Sequence, residues 1–127
     1  MSTTTSDTTG TMTRYVVLIY EHQTPDWPAD MPPEVLEASE QHDAHVAERG
    51  GRVVAGLALQ SSATATSIRG DVVTDGPFIE TKEAVAGVYI LEARDLDHAL
   101  ALAAMTPVAD GGVEVRPLLD FQVVEST

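Results

Sequence analysis

Asp75-Gly76-Pro77-Phe78-Ile79-Glu80-Thr81-Lys82-Glu83 separates two strand-like runs, residues 72–74 before it and residues 85–92 after it. A proline crowds the preceding residue out of the helical region, so Gly76 reads as extended and the chain turns a corner. Asp75 has two readings there. It caps the turn with its own side chain, or it is a carboxylate held at a strand end for chemistry. Lys82, the chain's only lysine, likewise has two readings: an ion pair with Glu80 or Glu83, or a hold on an anionic substrate.

Outward from this corner the pattern alternates between strands and helices. On its N-terminal side, Gly70-Asp71 reads as a two-residue hairpin turn between strands over 63–69 and 72–74. Residues 52–59 form a strand before these, and residues 14–20 are a β-branched and aromatic run that reads as a buried strand. Residues 21–31, with Pro25 and Pro28 around Trp27, are a loop. Pro32 and Pro33 suit the first turn of a helix that ends near Arg49, at Gly50-Gly51. Three-to-four spacing places Val35, Ser39, His42 and Val46 on one face of that helix, so His42 points inward. On the C-terminal side, residues 85–92 are a central strand. Asp95 caps a second helix running to about Met105. Asp110-Gly111-Gly112 reads as a turn, and a last strand covers 113–118, with an extension toward Val124. The order is β-α-β-β-β-α-β, an α+β ferredoxin-like split pattern with an extra hairpin. Two helices cover one face of an antiparallel sheet and leave the other bare.

A chain of 127 residues suits one domain, and 43% hydrophobic residues fill one core of Val, Ala, Leu and Ile. Residues 1–11 are Ser/Thr/Gly-rich without periodicity and read as a disordered tail, with the domain over 12–127. There is no cysteine, which excludes disulfides and thiolate chemistry. No signal pattern and no membrane-length apolar run is present, so the expectation is a cytoplasmic protein that does not engage a membrane. The net charge of −13, from 20 acids against 7 bases, disfavours nucleic acid. Residues 21–48 hold eight acids and no Lys or Arg. This segment reads as a solvated acidic face or as a surface for a basic partner.

Other chemistry is thinly signalled. His42 and His45 share a helix side, but a metal site needs a third ligand and no strong pattern supplies one, so no metal is expected. His22 and His98 read as exposed. Ser61 and Ser62 lack a nucleophile-elbow pattern. There is no glycine-rich phosphate loop. Tyr89 and Arg116 lie on strands where they either line a cavity or pack in the core or at its edge.

Asp75-Gly76-Pro77-Phe78 with Glu80-Thr81-Lys82-Glu83 resembles the signature of the YCII-related family, often called DGPF-domain proteins. The resemblance runs from Met12 onward. It takes in Arg14-Tyr15-Val16-Val17-Leu18-Ile19-Tyr20, Gly51-Arg52-Val53-Val54-Ala55-Gly56, Thr64-Ala65-Thr66, Asp95-Leu96-Asp97-His98-Ala99-Leu100 and Val113-Glu114-Val115-Arg116-Pro117. It implies a dimeric α/β barrel, in which two copies bury their bare sheet faces against one another. It also implies a catalytic pair of His42 and Asp75, in which the carboxylate orients the imidazole for general acid–base work. Lys82, Tyr89 and Arg116 would then contact substrate. The expected function is cofactor-independent proton transfer on a small organic compound, of isomerase, lyase or dehydrochlorinase type. The rival reading is a non-catalytic ligand-binding or regulatory homodimer, linked to an alternative sigma factor.

Overall fold

The computed structural model of the chain describes residues 11–78 and 82–124. The tail expected over residues 1–11 lies, Thr11 apart, outside the described residues, as do Glu80 and Thr81 of the corner.

The elements are β1 (Thr13–His22), α1 (Pro33–Glu48), β2 (Arg52–Ala58), β3 (Thr66–Arg69), β4 (Val72–Asp75), β5 (Glu83–Ala93), α2 (Leu96–Ala103) and β6 (Gly111–Pro117). Four strands form one sheet in the order β2-β5-β1-β6, and β3 and β4 form a separate hairpin. All neighbours in the larger sheet run antiparallel. This is the ferredoxin-like arrangement that the element order predicts, with the hairpin inserted between β2 and β5.

Alternation along β1 and β5 decides which side becomes the core. Tyr15 and Val17 on β1, with Tyr89, Leu91 and Ala93 on β5, are buried beneath Val46 of α1 and Ala99, Leu102 and Ala103 of α2. Burying a leucine or valine of this kind contributes roughly 1.5–3 kcal/mol. The helix ends follow from local sequence. Pro33 occupies the first turn of α1. Past its last turn the Gly50 and Gly51 amides donate to the Ala47 and Val46 carbonyls, both at 3.1 Å. The Asp95 carboxylate accepts from the His98 amide at 2.8 Å and caps α2.

Among the described residues no helix covers the other face of the sheet. Val16 and Leu18 of β1 stand opposite Ile90 and Val88 of β5, which pair in turn with Ala55 and Leu57 of β2. Leu57 is 57% exposed. Ion pairs rim this face: Arg14 and Arg52 on Glu92 at 2.9 and 3.5 Å, and Arg116 on Glu114 at 2.8 Å. The β3–β4 hairpin is similarly bare. Ile68 and Val73 face each other across it, each 62% exposed.

Four expectations are corrected. The strand expected over 63–69 starts only at Thr66, because residues Ser62–Thr64 form a 3-10 turn. Side chains there bond to nearby backbone: Ser61 Oγ accepts from the Ala63 amide, and Thr64 Oγ1 donates to the Ser61 carbonyl. Such local bonds compete with strand pairing. Gly111 and Gly112 belong to β6 rather than to a turn. A Cβ on Gly111 would run into the Tyr20 carbonyl of the neighbouring strand. The last strand stops at Pro117, short of the expected Leu118 and of any extension toward Val124, with a final bond from the Leu118 amide to the Arg14 carbonyl at 3.1 Å. Gly76 departs from ordinary extended backbone with φ +93°, a region that favours glycine. Its amide donates to the Ala65 carbonyl at 2.7 Å, and Ser67 Oγ donates to its own carbonyl at 2.6 Å. The corner is therefore clasped by its glycine backbone and by Ser67. The Asp75 side chain makes no hydrogen bond among the described residues.

Candidate functional site

Helix α1 delivers His42 to the sheet, as the stripe predicts: His42 is 7% and Val46 0% exposed. His45, on the same helix, is exposed. The His42 ring meets Tyr89 of β5 edge-on, with centroids 5.1 Å apart and planes at 68°. The Tyr89 hydroxyl shares a 2.8 Å hydrogen bond with Thr106 Oγ1 beyond α2. His42, Asp43 and Tyr89 line a groove of about 420 Å³ along β2, whose residues 53–58 form its other wall.

Electrostatics single out His42 among the groove residues. Its Nδ1 lies 3.9 Å from Asp43 Oδ1. Its Nε2 is sealed from solvent and has no hydrogen-bond partner among the described residues. Burial lowers its pKa below the usual 6.5, outweighing the opposite pull of Asp43, while His45 adds to the lowering. At neutral pH the ring is uncharged. In the tautomer with its proton on Nδ1, that proton faces the carboxylate and the lone pair sits on Nε2. Burial chiefly raises the pKa of Tyr89, so it stays a phenol.

A second region lies where β1 and β5 meet the 3-10 turn and the corner. Tyr20, His22, Lys82, Glu83 and Asp110 line a cavity of about 810 Å³. Tyr20 and Glu83 also line a more apolar one of about 520 Å³, with Leu59, Pro77 and Val85. Ser61, Ser62 and Pro77 are shared with a third, of about 500 Å³, that Asp75, Gln23 and Thr24 border. Neighbouring walls thus connect three cavities. His22 Nδ1 stands 3.6 Å from Asp110 Oδ2 at the polar end.

The five residues expected to act together are divided. His42 and Tyr89 meet in the groove. Asp75 borders one strand-end cavity and Lys82 another. The groove and the Asp75 cavity have no lining residue in common, and the carboxylate beside His42 is Asp43. Arg116 stays on the open sheet face, paired with Glu114. Among the described residues no three His, Asp or Glu side chains gather in a metal-binding group.

Two buried polar residues escape the sequence reading. His98 is buried, not exposed: Nδ1 accepts from the Arg94 amide at 3.0 Å, and Nε2 donates to the Arg49 carbonyl at 2.8 Å, tying the start of α2 to the end of α1. Glu21, 4% exposed, accepts from the Ala109 and Asp110 amides at 3.2 and 3.3 Å and fixes the approach to β6. An acid ending an apolar strand gives no sign that a loop about ninety residues later will supply its donors.

The fold and these cavities define a small α+β protein of ferredoxin-like architecture. The YCII-related domain model matches residues 13–122, and the chain belongs to that family. It is 34% identical over 112 residues to an uncharacterized protein of Rhizobium meliloti (strain 1021), across 82% of this chain and 90% of that protein. Among the described residues no helix is long and apolar enough to cross a membrane.

Proposed function

We propose that this YCII-related protein is a small-molecule enzyme that moves protons without a cofactor, with neutral His42 as the base. The observation that carries the reading is the buried His42 Nε2, left without a partner while a carboxylate stands near Nδ1. A buried nitrogen without a partner costs stability, and such costs gather where function needs them. Asp43 takes the orienting role that the family resemblance gives to Asp75. Asp75 and Lys82 are proposed as substrate contacts at the strand-end cavities. Because Nε2 is sealed, substrate has to part α1 from β2 to reach it.

The protein would act as a homodimer with sheets face to face. Val16, Leu18, Leu57, Val88 and Ile90 give the bare face an apolar centre. Its rim carries Arg14, Arg52 and Arg116 against Glu92 and Glu114, a near-neutral balance on a chain of net charge −13. Two copies can therefore approach through this face with little like-charge repulsion.

A ligand-binding role without turnover is the second reading, and the sealing of Nε2 favours it. Hydrogen–deuterium exchange separates the two. Small carbonyl-bearing acids incubated with the protein in deuterium oxide should exchange the hydrogen next to the carbonyl. His42→Gln should abolish that exchange without loss of fold. Exchange that survives the substitution removes His42 as the base.

A further inference from the structure

The corner around Asp75, proposed above as a substrate contact, also holds a buried polar group, on Gln23, that the His42 chemistry does not use. Gln23 lies just beyond β1. Its Oε1 accepts from the Ser62 amide at 2.8 Å. That bond fixes which end of the side-chain amide is which, because a backbone N–H needs an oxygen. The other end, Nε2, is buried and has no acceptor among the described residues. Asp75 borders the same cavity, and its carboxylate makes no hydrogen bond among the described residues. Two residues lining one cavity thus carry a donor without an acceptor, sealed until the wall opens, and an exposed carboxylate without a protein hydrogen bond among the described residues. Through Ser61, Ser62 and Pro77 the cavity continues into the apolar one lined by Leu59 and Val85.

We propose that this corner binds a primary carboxamide carried on a small apolar body. The amide carbonyl accepts from Gln23 Nε2, and the amide NH₂ donates to Asp75. The hydrocarbon lies toward Leu59, Pro77 and Val85. Related head groups fit less well. A carboxylate meets Gln23 but is repelled by Asp75 and by the net charge of −13. An ammonium satisfies Asp75 but gives Gln23 no acceptor. A ketone satisfies Gln23 and leaves Asp75 unused. Only the amide offers acceptor and donor on adjacent atoms, and failing to match a buried polar group costs affinity.

Three probes with the same branched tail test the assignment: isovaleramide, isovalerate and isoamylamine, titrated into the ¹⁵N-labelled chain. Isovaleramide should shift the Gln23 side-chain NH₂ and the Ser62 amide in a saturable way, and the other two should bind more weakly. Gln23→Glu keeps the acceptor for Ser62 but loses the donor, and should weaken the amide by about tenfold. Asp75→Ala, at an exposed position, removes the acceptor outright in a second variant whose fold is safe, and should weaken it similarly. Three results overturn the proposal. The first is that all three probes bind alike. The second is that amide binding ignores both substitutions. The third is that the Gln23 signals stay unmoved up to the solubility limit of the amide, as they would if water alone serves Nε2. None of these readouts depends on His42 acting as a base.

Discussion

Replacing His42 by leucine should make the protein more stable and less sensitive to acid. The side chain is 91% buried and its Nε2 has no partner, so the folded state bears the desolvation of an orphaned polar atom. That cost is about 1–3 kcal/mol. Leucine has similar bulk, places apolar atoms against Tyr89 and Val53, and is a better helix former by a few tenths of a kcal/mol. Lost edge-on contact with the Tyr89 ring takes back about 0.5–1.5 kcal/mol. A net gain of about 1 kcal/mol follows, or roughly 3–5 °C in Tm for a domain of this size. The pH dependence separates this from a generic helix effect. Because the folded-state pKa of His42 lies below 6.5, the unfolded chain binds the proton more readily. The neutral ring is compatible with the fold above about pH 6.5, and stability is lost as pH falls through that value toward the folded pKa. His42→Leu escapes this loss, so its advantage should widen between pH 7.5 and pH 5.5 in thermal melts. A substitution that destabilises at pH 7.5, with a gap that does not change with pH, would mean that His42 is a satisfied core residue. The base assignment would fall with it.

Other outcomes follow from the same contacts. Asp75→Asn should change unfolding free energy by less than about 0.5 kcal/mol, since its side chain bonds to nothing described, whereas Gly76→Ala should cost about 1–2 kcal/mol in urea titrations because φ is +93°. Glu21→Ala should cost about 1.5–3 kcal/mol by removing a buried charged acceptor from two backbone amides. Light scattering should give a dimer for the wild type and a monomer for Leu18→Glu, which places a charge in the apolar centre of the bare sheet face; a wild-type monomer at micromolar concentration would refute the face-to-face assembly.

Local chemistry in the sequence determined the elements. Alternating apolar residues, the Pro32-Pro33 start, the Gly50-Gly51 stop and the Asp95 cap each act within a few residues, so the β-α-β-β-β-α-β order and the inward turn of His42 could be read directly. At Gly111 and His98, where the reading failed, a partner distant in sequence decided. Gly111 looked like a turn residue because the Tyr20 backbone that crowds it lies on another strand. His98 looked exposed because its acceptor, the Arg49 carbonyl, belongs to the other helix. The same holds for the site. A helical stripe tells which way a histidine points, but not whether the distant Asp75 carboxylate will stand beside it. That depends on how α1 settles along β2 and where the hairpin carries Asp75. Asp43 stands beside His42 as its neighbour in the same helix, whereas tertiary packing left Asp75 bordering a separate cavity with Gln23, because side-chain reach is short and only the assembled sheet fixes which strand ends become neighbours.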